Sequence, residues 1–248
     1  MPSWRFALLC TLMVSWMFAR VSSKNTIHLD KGKYSNILVA IDSGVTEDYT
    51  LIEHIKETFK KGSEILFEAT KRRLYWGEIQ ILVPITWKRK PDVYEMATFQ
   101  SFGSANIRVV AGDDTDPSVT NHAECGDPGL DMTLTSGYLL QPVDTCRGKA
   151  MVREWGRLRW SLFPEHFTGS GDENTEKNQY QDSTTNRYEP TRCTRDLTGS
   201  MVKDGGGPRC GENPNTGKVD EDCVFIPRSG QTTSASLLFG SHCVDSVS

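Results

Sequence analysis

From Ala150 to Glu165 the chain reads AMVREWGRLRWSLFPE, and its centre, Arg153-Glu154-Trp155-Gly156-Arg157, has the outline of H-E-x-x-H with arginine at both histidine positions. On a helix, H-E-x-x-H sets two imidazoles on one face to hold zinc, with the glutamate as general base. Arginine reverses that chemistry, because a guanidinium stays protonated and has no lone pair to give a metal. Arg153 and Arg157 share a helix face, and their repulsion costs about 0.2–0.5 kcal/mol, partly offset by Glu154 three residues before Arg157. Met151, Val152, Trp155, Leu158, Trp160 and Leu162 make the segment too apolar for a purely solvated helix. Two cations on such a helix need anionic partners.

A second short signal is Ala40-Ile41-Asp42-Ser43-Gly44, which contains the D-[ST]-G of aspartic proteases. That chemistry needs a second aspartate sharing a proton with the first. A helix rather than a hairpin follows Gly44, so the motif reads as an acidic strand-to-helix turn.

The elements that must position these residues follow from periodicity. Residues 36–41 (NILVAI), 78–85 (EIQILVPI, closed by Pro84) and 106–112 (NIRVVAG) read as buried strands. From Glu47, apolar residues at 51, 52, 55, 59, 65 and 66 predict an amphipathic helix with acids in its first turn and a break at Gly62. Residues 113–129 are rich in turn formers and read as an exposed loop. Residues 133–140 (TLTSGYLL) fit a strand or a helical turn equally well. Residues 147–163 predict a helix ended by Pro164. Strand, helix, strand, strand is the order of an α/β layer with a helix packed on the sheet.

At the N-terminus, Arg5, an apolar run from Phe6 to Ala19 and the small residues Ser22 and Ser23 form a secretory signal pattern, cleaved after Ser23. The run is short of the roughly 20 residues a membrane span needs. Removing residues 1–23 takes away two arginines and no acids, which moves the net charge from −4 to −6. A mildly acidic chain lacks the clustered basic face of a nucleic-acid partner. About 225 residues remain, enough for a core and one or two domains.

Of seven cysteines, Cys10 leaves with the signal, and the even remainder in an exported chain predicts disulfides. One bridge is expected within Cys125 and Cys146, and two among Cys193, Cys210, Cys223 and Cys243. No C-x-x-C spacing marks a structural zinc knuckle. Residues 168–190 are polar and nearly free of aliphatics, as in a linker or long surface loop. After Thr191 the composition turns to cysteine, glycine and turn residues. No N-x-[ST] sequon is present, so N-glycosylation is not expected.

Five blocks carry a resemblance: YSNILVAIDSGVTEDYTLIEHIK, ILFEATKRRLYWGEIQILVPITWK, CGDPGLDMTLT, REWGRLRWSLFPE and SGQTTSASLLFGSH. In order and content, from about Tyr34 to the end, they resemble the N-terminal region of the calcium-activated chloride channel regulator family. The resemblance implies a zincin-like metalloprotease fold (a mixed α/β sheet with packed helices), followed by a small cysteine-rich disulfide module. It divides the chain into signal peptide 1–23, zincin-like domain 24–167, polar linker or loop 168–189 and cysteine-rich module 190–248. Family members continue into a von Willebrand A domain and a β-sandwich region, and typically cleave themselves. They are secreted and raise the activity of a calcium-activated chloride channel without being its pore.

Carried over position by position, the family's zinc histidines fall on Arg153 and Arg157, its catalytic glutamate on Glu154, and its third, acidic ligand on Pro164. All three ligand positions are altered and only the base is kept, so no metal and no other cofactor is expected. Without zinc, bound water returns from a pKa of about 7 toward about 15.7, out of reach of Glu154 alone. His122 and His166 lack helical spacing and read as surface loop histidines. The arginines are expected to replace the lost cationic charge by pairing with Glu154, Glu165 or another acid of the cleft. The expectation is a secreted, inactive pseudoprotease that acts by binding an extracellular or membrane protein, a calcium-activated chloride channel by resemblance. The alternative is a secreted metalloprotease with a displaced metal site.

Overall fold

The structure is a computed structural model and describes residues 24–113, 118–120, 127–162, 165, 178–204, 207–228, 231, 233 and 235–239. The signal pattern, His122, Cys125, Pro164, His166 and Cys243 lie outside the described residues.

Along the chain come β1 (His28–Asp30), β2 (Lys33–Ser35), β3 (Ile37–Ile41), α1 (Tyr49–Ala69), β4 (Tyr75–Trp76), β5 (Ile79–Leu82), β6 (Ile107–Val110), β7 (Ser118–Thr120) and β8 (Asp131–Thr135). They are followed by α2 (Ser136–Leu140), α3 (Thr145–Trp160), β9 (Gln179–Gln181), β10 (Tyr188–Pro190), β11 (Gly199–Lys203) and β12 (Cys223–Pro227). The main sheet runs β5-β3-β6-β8-β7. Its first four strands are parallel, in register at Ile37↔Ile79, Val39↔Ile107 and Ile107↔Met132, while β7 pairs antiparallel with β8. The three expected strands are therefore present, in a mixed α/β fold.

The unbroken apolar run of β3 is explained by cover on both of its faces, as parallel strands require. Ile37, Val39 and Ile41 join the core formed with α1 and α3, whereas Leu38 and Ala40 pack with Ala105, Leu82 and Phe102 on the opposite side. Asp48 caps α1 by accepting from Thr50 N at 2.8 Å. The first turn itself carries no acid, because Glu47, expected inside it, precedes the cap.

The predicted break at Gly62 does not occur, and α1 is continuous. Gly62 serves packing instead, since a Cβ there would stand 2.4 Å from Trp76 Cζ3. Gly148 of α3 does the same against α1, where a Cβ would meet Ile65 Cδ1 at 2.7 Å. These two positions let the indole and the second helix settle onto α1.

The ambiguous stretch 133–140 is both things in turn. Thr135 closes β8 and then caps α2, accepting from Tyr138 N at 3.2 Å. Arg147, 5% exposed, finishes that short helix from the first turns of α3. It donates to Leu139 O at 2.9 Å and Tyr138 O at 2.7 Å, and also to Gln141 O. Burial holds its pKa below the ordinary arginine value. Arg147→Ala strands these buried carbonyls and is expected to cost about 2–4 kcal/mol. Thermal unfolding by circular dichroism would read this, and an unchanged melt would refute the capping role.

Three other expectations are corrected. The predicted loop 113–129 contains β7, an edge strand too short and polar to stand out from its surroundings. Helix α3 stops at Trp160, ahead of Pro164; Ser161 adopts a left-handed conformation (φ 52°), and its N–H returns to Arg157 O at 3.1 Å. The predicted linker 168–189 contains, from Gln179 onward, a hairpin in which β9 pairs with β10. That hairpin belongs to the cysteine-rich unit, because Asn178 Nδ2 donates to Asp220 O at 2.8 Å and Cys223 O at 2.9 Å, and Gln179 Nε2 donates to Val219 O at 2.6 Å.

In that unit β11 pairs with β12, and Cys210 is bonded to Cys223. Cys146 is disulfide-bonded to a partner outside the described residues, since Cys193 is free and Cys210 and Cys223 pair with each other. The second bridge expected among the last four cysteines is not formed. Cys193 is a thiol resting on the small core of Leu197, Ala235 and Phe239. Leu237 packs on the main core and Glu165 N donates to Leu238 O at 3.0 Å, so the C-terminal segment returns to the first unit.

Candidate functional site

Helix α3 is anchored by Trp155, which is wholly buried and meets the rings of Tyr34 and Trp76 edge-on at 5.1 and 5.3 Å. Aromatic pairs in this geometry fix orientation as well as burying area. Met151, Val152 and Leu158 complete the inward stripe. The helix starts at Asp144, whose side chain accepts from Arg147 N at 2.8 Å. Its far end is tied down by the chain before β8: Gly129 N donates to Leu158 O at 2.9 Å, and Ser161 Oγ donates to Asp127 O.

With Trp155 fixed, Arg153, Glu154 and Arg157 fall beside one another. Glu154 is 1% exposed. Its Oε1 accepts from Arg153 Nε at 2.9 Å and its Oε2 accepts from Arg157 Nη1 at 3.0 Å. The side chain of Arg153 is 9% exposed and that of Arg157 27%, so the cluster opens toward solvent only on the Arg157 side. Both pairs are charge-assisted. Of the expected acids, Glu154 takes the pairing role, whereas Glu165 is exposed.

These residues do not fit a zinc ion. The helix presents two cations where a dication needs lone pairs, and its carboxylate already has a guanidinium on each oxygen. Among the described residues there is no group of three or more His, Cys, Asp or Glu side chains that could hold a metal. The arrangement is that of a structural ion triplet, whose general-base candidate is dry and engaged.

Asp42 makes the turn expected of it, accepting from Gly44 N at 2.8 Å. Sequence reasoning did not single out Asp131. It is 4% exposed at the start of β8, and its Oδ2 lies 2.5 Å from Lys24 Nζ and 3.3 Å from Arg108 Nη2. The partners are 107 and 23 residues away along the chain, and no local pattern announces such a meeting.

The fold and the site together define an α/β protein with a mainly parallel sheet, a helix carrying a buried Arg-Glu-Arg cluster, and a disulfide-closed β unit. The family description "Calcium-activated chloride channel N terminal" matches residues 27–248, and the chain belongs to the calcium-activated chloride channel regulator family. It is 36% identical over 227 residues to calcium-activated chloride channel regulator 1 of Bos taurus, covering 86% of this chain and 24% of that protein. To regulator 1 of Homo sapiens it is 34% identical over 238 residues, covering 91% and 25% respectively. To regulator 2 of Homo sapiens it is 34% identical over 221 residues, covering 86% and 22%. The chain thus spans about a quarter of the length of the curated relatives it matches. No solved structure matches it.

Proposed function

We propose that this chain is a secreted regulator-like protein whose zincin-like domain is catalytically inactive and acts by binding another protein. The observation that carries this reading is Glu154: nearly dry, with each carboxylate oxygen holding an arginine N–H. A general base must reach the proton it removes and be free to accept it. Freeing either oxygen would give up a charge-assisted hydrogen bond on a carboxylate that is 1% exposed, at about 1.5–3 kcal/mol. The mixed sheet with helices packed on it and the REWGR helix support a zincin-like ancestry. The names of the relatives support a calcium-activated chloride channel as the partner.

The test is the zinc content of the secreted chain by plasma mass spectrometry, run beside hydrolysis of a quenched peptide library. The expected result is zinc far below one per chain and no cleavage that a chelator abolishes. Stoichiometric zinc with chelator-sensitive cleavage would overturn the proposal and direct mutagenesis to His122 and His166.

A further inference from the structure

Two basic turns, centred on Lys31 and Arg72 and far apart in the chain, are pressed together in the fold. The first closes the β1–β2 hairpin. Asp30 faces Lys33 across it, so Lys31 (φ 46°) and Gly32 (φ 84°) form a two-residue turn with both residues left-handed. The second turn ends α1. Arg72 N donates to Phe67 O at 2.7 Å and Lys71 N to Glu68 O at 3.0 Å, the two bonds of a Schellman motif, with Lys71 (φ 54°) and Arg72 (φ 63°) left-handed. Tyr75 N donates to Gly32 O at 3.0 Å and Lys33 is in register with Tyr75, so both turns sit at one end of the β1-β2-β4 sheet. Their backbones leave no room for a Cβ at Gly32, which would meet Arg73 O.

Lys31, Lys71, Arg72 and Arg73 are exposed, and Lys33 is half-buried with its stem along Gly77. The neighbouring acids are Asp30, Glu68 and Glu78, all exposed. Of these only Glu68 pairs with the cluster, 3.9 Å from Arg72 Nε, and with those side chains 71% and 75% exposed the contact is worth little in water. Lys31, Lys33, Lys71 and Arg73 make no ion pair among the described residues. Left-handed backbone is unfavourable for a lysine or arginine. Asparagine commonly fills the first position of such a hairpin turn, and glycine the position of Lys71. Of the six non-glycine residues at positive φ, three are cations of these two turns. The C-terminal end of α1 gives Lys71, Arg72 and Arg73 a local reason to be cationic, but it gives Lys31 on the adjoining hairpin none.

We propose that the two turns form a docking site for a sulfated polysaccharide, whose sulfates meet Lys31, Lys33, Lys71, Arg72 and Arg73. Five cations against three acids, on a chain of net charge −4, make a local positive field that a polyanion would neutralise. Two features favour a polysaccharide over a lipid surface. Anionic lipid is concentrated on the cytoplasmic leaflet, which an exported chain does not face. The turns also carry no large apolar side chain to enter a bilayer: Leu29 pairs with Tyr34 on the opposite face of the sheet from Lys33, and Tyr75 is engaged edge-on by Phe67. The choice of ligand rests on the secretory reading above, whereas the patch does not, and neither depends on the zinc helix.

The test is binding of the full chain to immobilised heparin, beside duplex DNA and phosphatidylserine vesicles. The natural chain is expected to be retained on heparin at physiological ionic strength and released by added salt. Lys31→Asn/Lys71→Gly/Arg73→Gln should weaken heparin binding by about tenfold or more. The same variant should melt no lower than the natural chain, because asparagine and glycine suit the two left-handed positions better than lysine. Lys88→Gln/Arg89→Gln lowers the net charge without touching either turn and should leave retention nearly unchanged. A natural chain that heparin does not retain would overturn the proposal, and so would retention indifferent to the triple substitution. An equal loss in the Lys88/Arg89 variant would reduce the effect to net charge and overturn it as well. Preference for DNA or vesicles over heparin would reject the polysaccharide as ligand. Recovery of the chain from culture medium reads the secretory step separately: heparin binding by a chain that never reaches the medium would reject an extracellular ligand while leaving the patch.

Discussion

Glu154→Leu is expected to lower the melting temperature of this chain by about 10 °C. The estimate rests on about 3–5 kcal/mol for removing one partner of a buried ion pair, at about 2–4 °C per kcal/mol for a chain of this size. Both arginines donate to the same carboxylate, so its removal breaks both of these charge-assisted pairs at once. Arg157→Ala should cost less, because that side chain is 27% exposed and its loss leaves Glu154 still paired with Arg153. The informative companion is Arg153→Met/Glu154→Leu/Arg157→Leu. Apolar replacement of a whole buried ion cluster is often neutral or stabilising, so this triple variant should recover most of the loss. A Glu154→Leu protein melting within about 2 °C of the natural chain would show that the triplet is solvated rather than buried.

The second large effect is a gain. Arg153→His/Arg157→His/Pro164→Asp restores a two-histidine, one-carboxylate ligand set on the positions that the family resemblance assigns. Zinc content should rise from near zero to about one per chain. Stability carries a second, independent readout. Without metal the variant has lost both partners of Glu154 and should melt well below the natural chain. With zinc in excess its folded state gains RT ln(1 + [Zn]/Kd), about 4 kcal/mol at a thousandfold excess over Kd. A zinc-dependent rise in melting temperature that chelator reverses would support a zincin-like scaffold. A variant as stable in chelator as in zinc would refute the assignment of these three positions. Catalysis is a stricter demand, since Glu154 must also be released to solvent.

Much of the organisation was legible in the sequence because it is set by local pattern. The apolar run 36–41 is continuous since both faces of β3 are covered, and the helical periodicity after Glu47 is the stripe that α1 lays on that strand. Asp48 and Asp144 cap their helices with their own side chains, a signal contained within four residues. The family blocks, the REWGR outline and the need of its arginines for an acid were likewise present in the letters alone.

What only the tertiary structure decided is non-local. Gly62 reads as a helix break until Trp76 occupies the space its missing Cβ leaves. The hairpin at 178–190 reads as a linker because its stability comes from side-chain amides bonding backbone carbonyls some forty residues on, not from apolar burial. Asp131 draws Lys24 and Arg108 together across the sheet, and nothing near it in sequence points to them. Most of all, the choice of Glu154 over Glu165 as the partner of both arginines depended on where Trp155 locks the helix. Once that indole is seated between Tyr34 and Trp76, the turn carrying Arg153, Glu154 and Arg157 is buried beside it. Glu165, past the left-handed stop at Ser161, is directed to solvent. Composition can require a counter-charge, but only the packing around the helix selects which carboxylate supplies it.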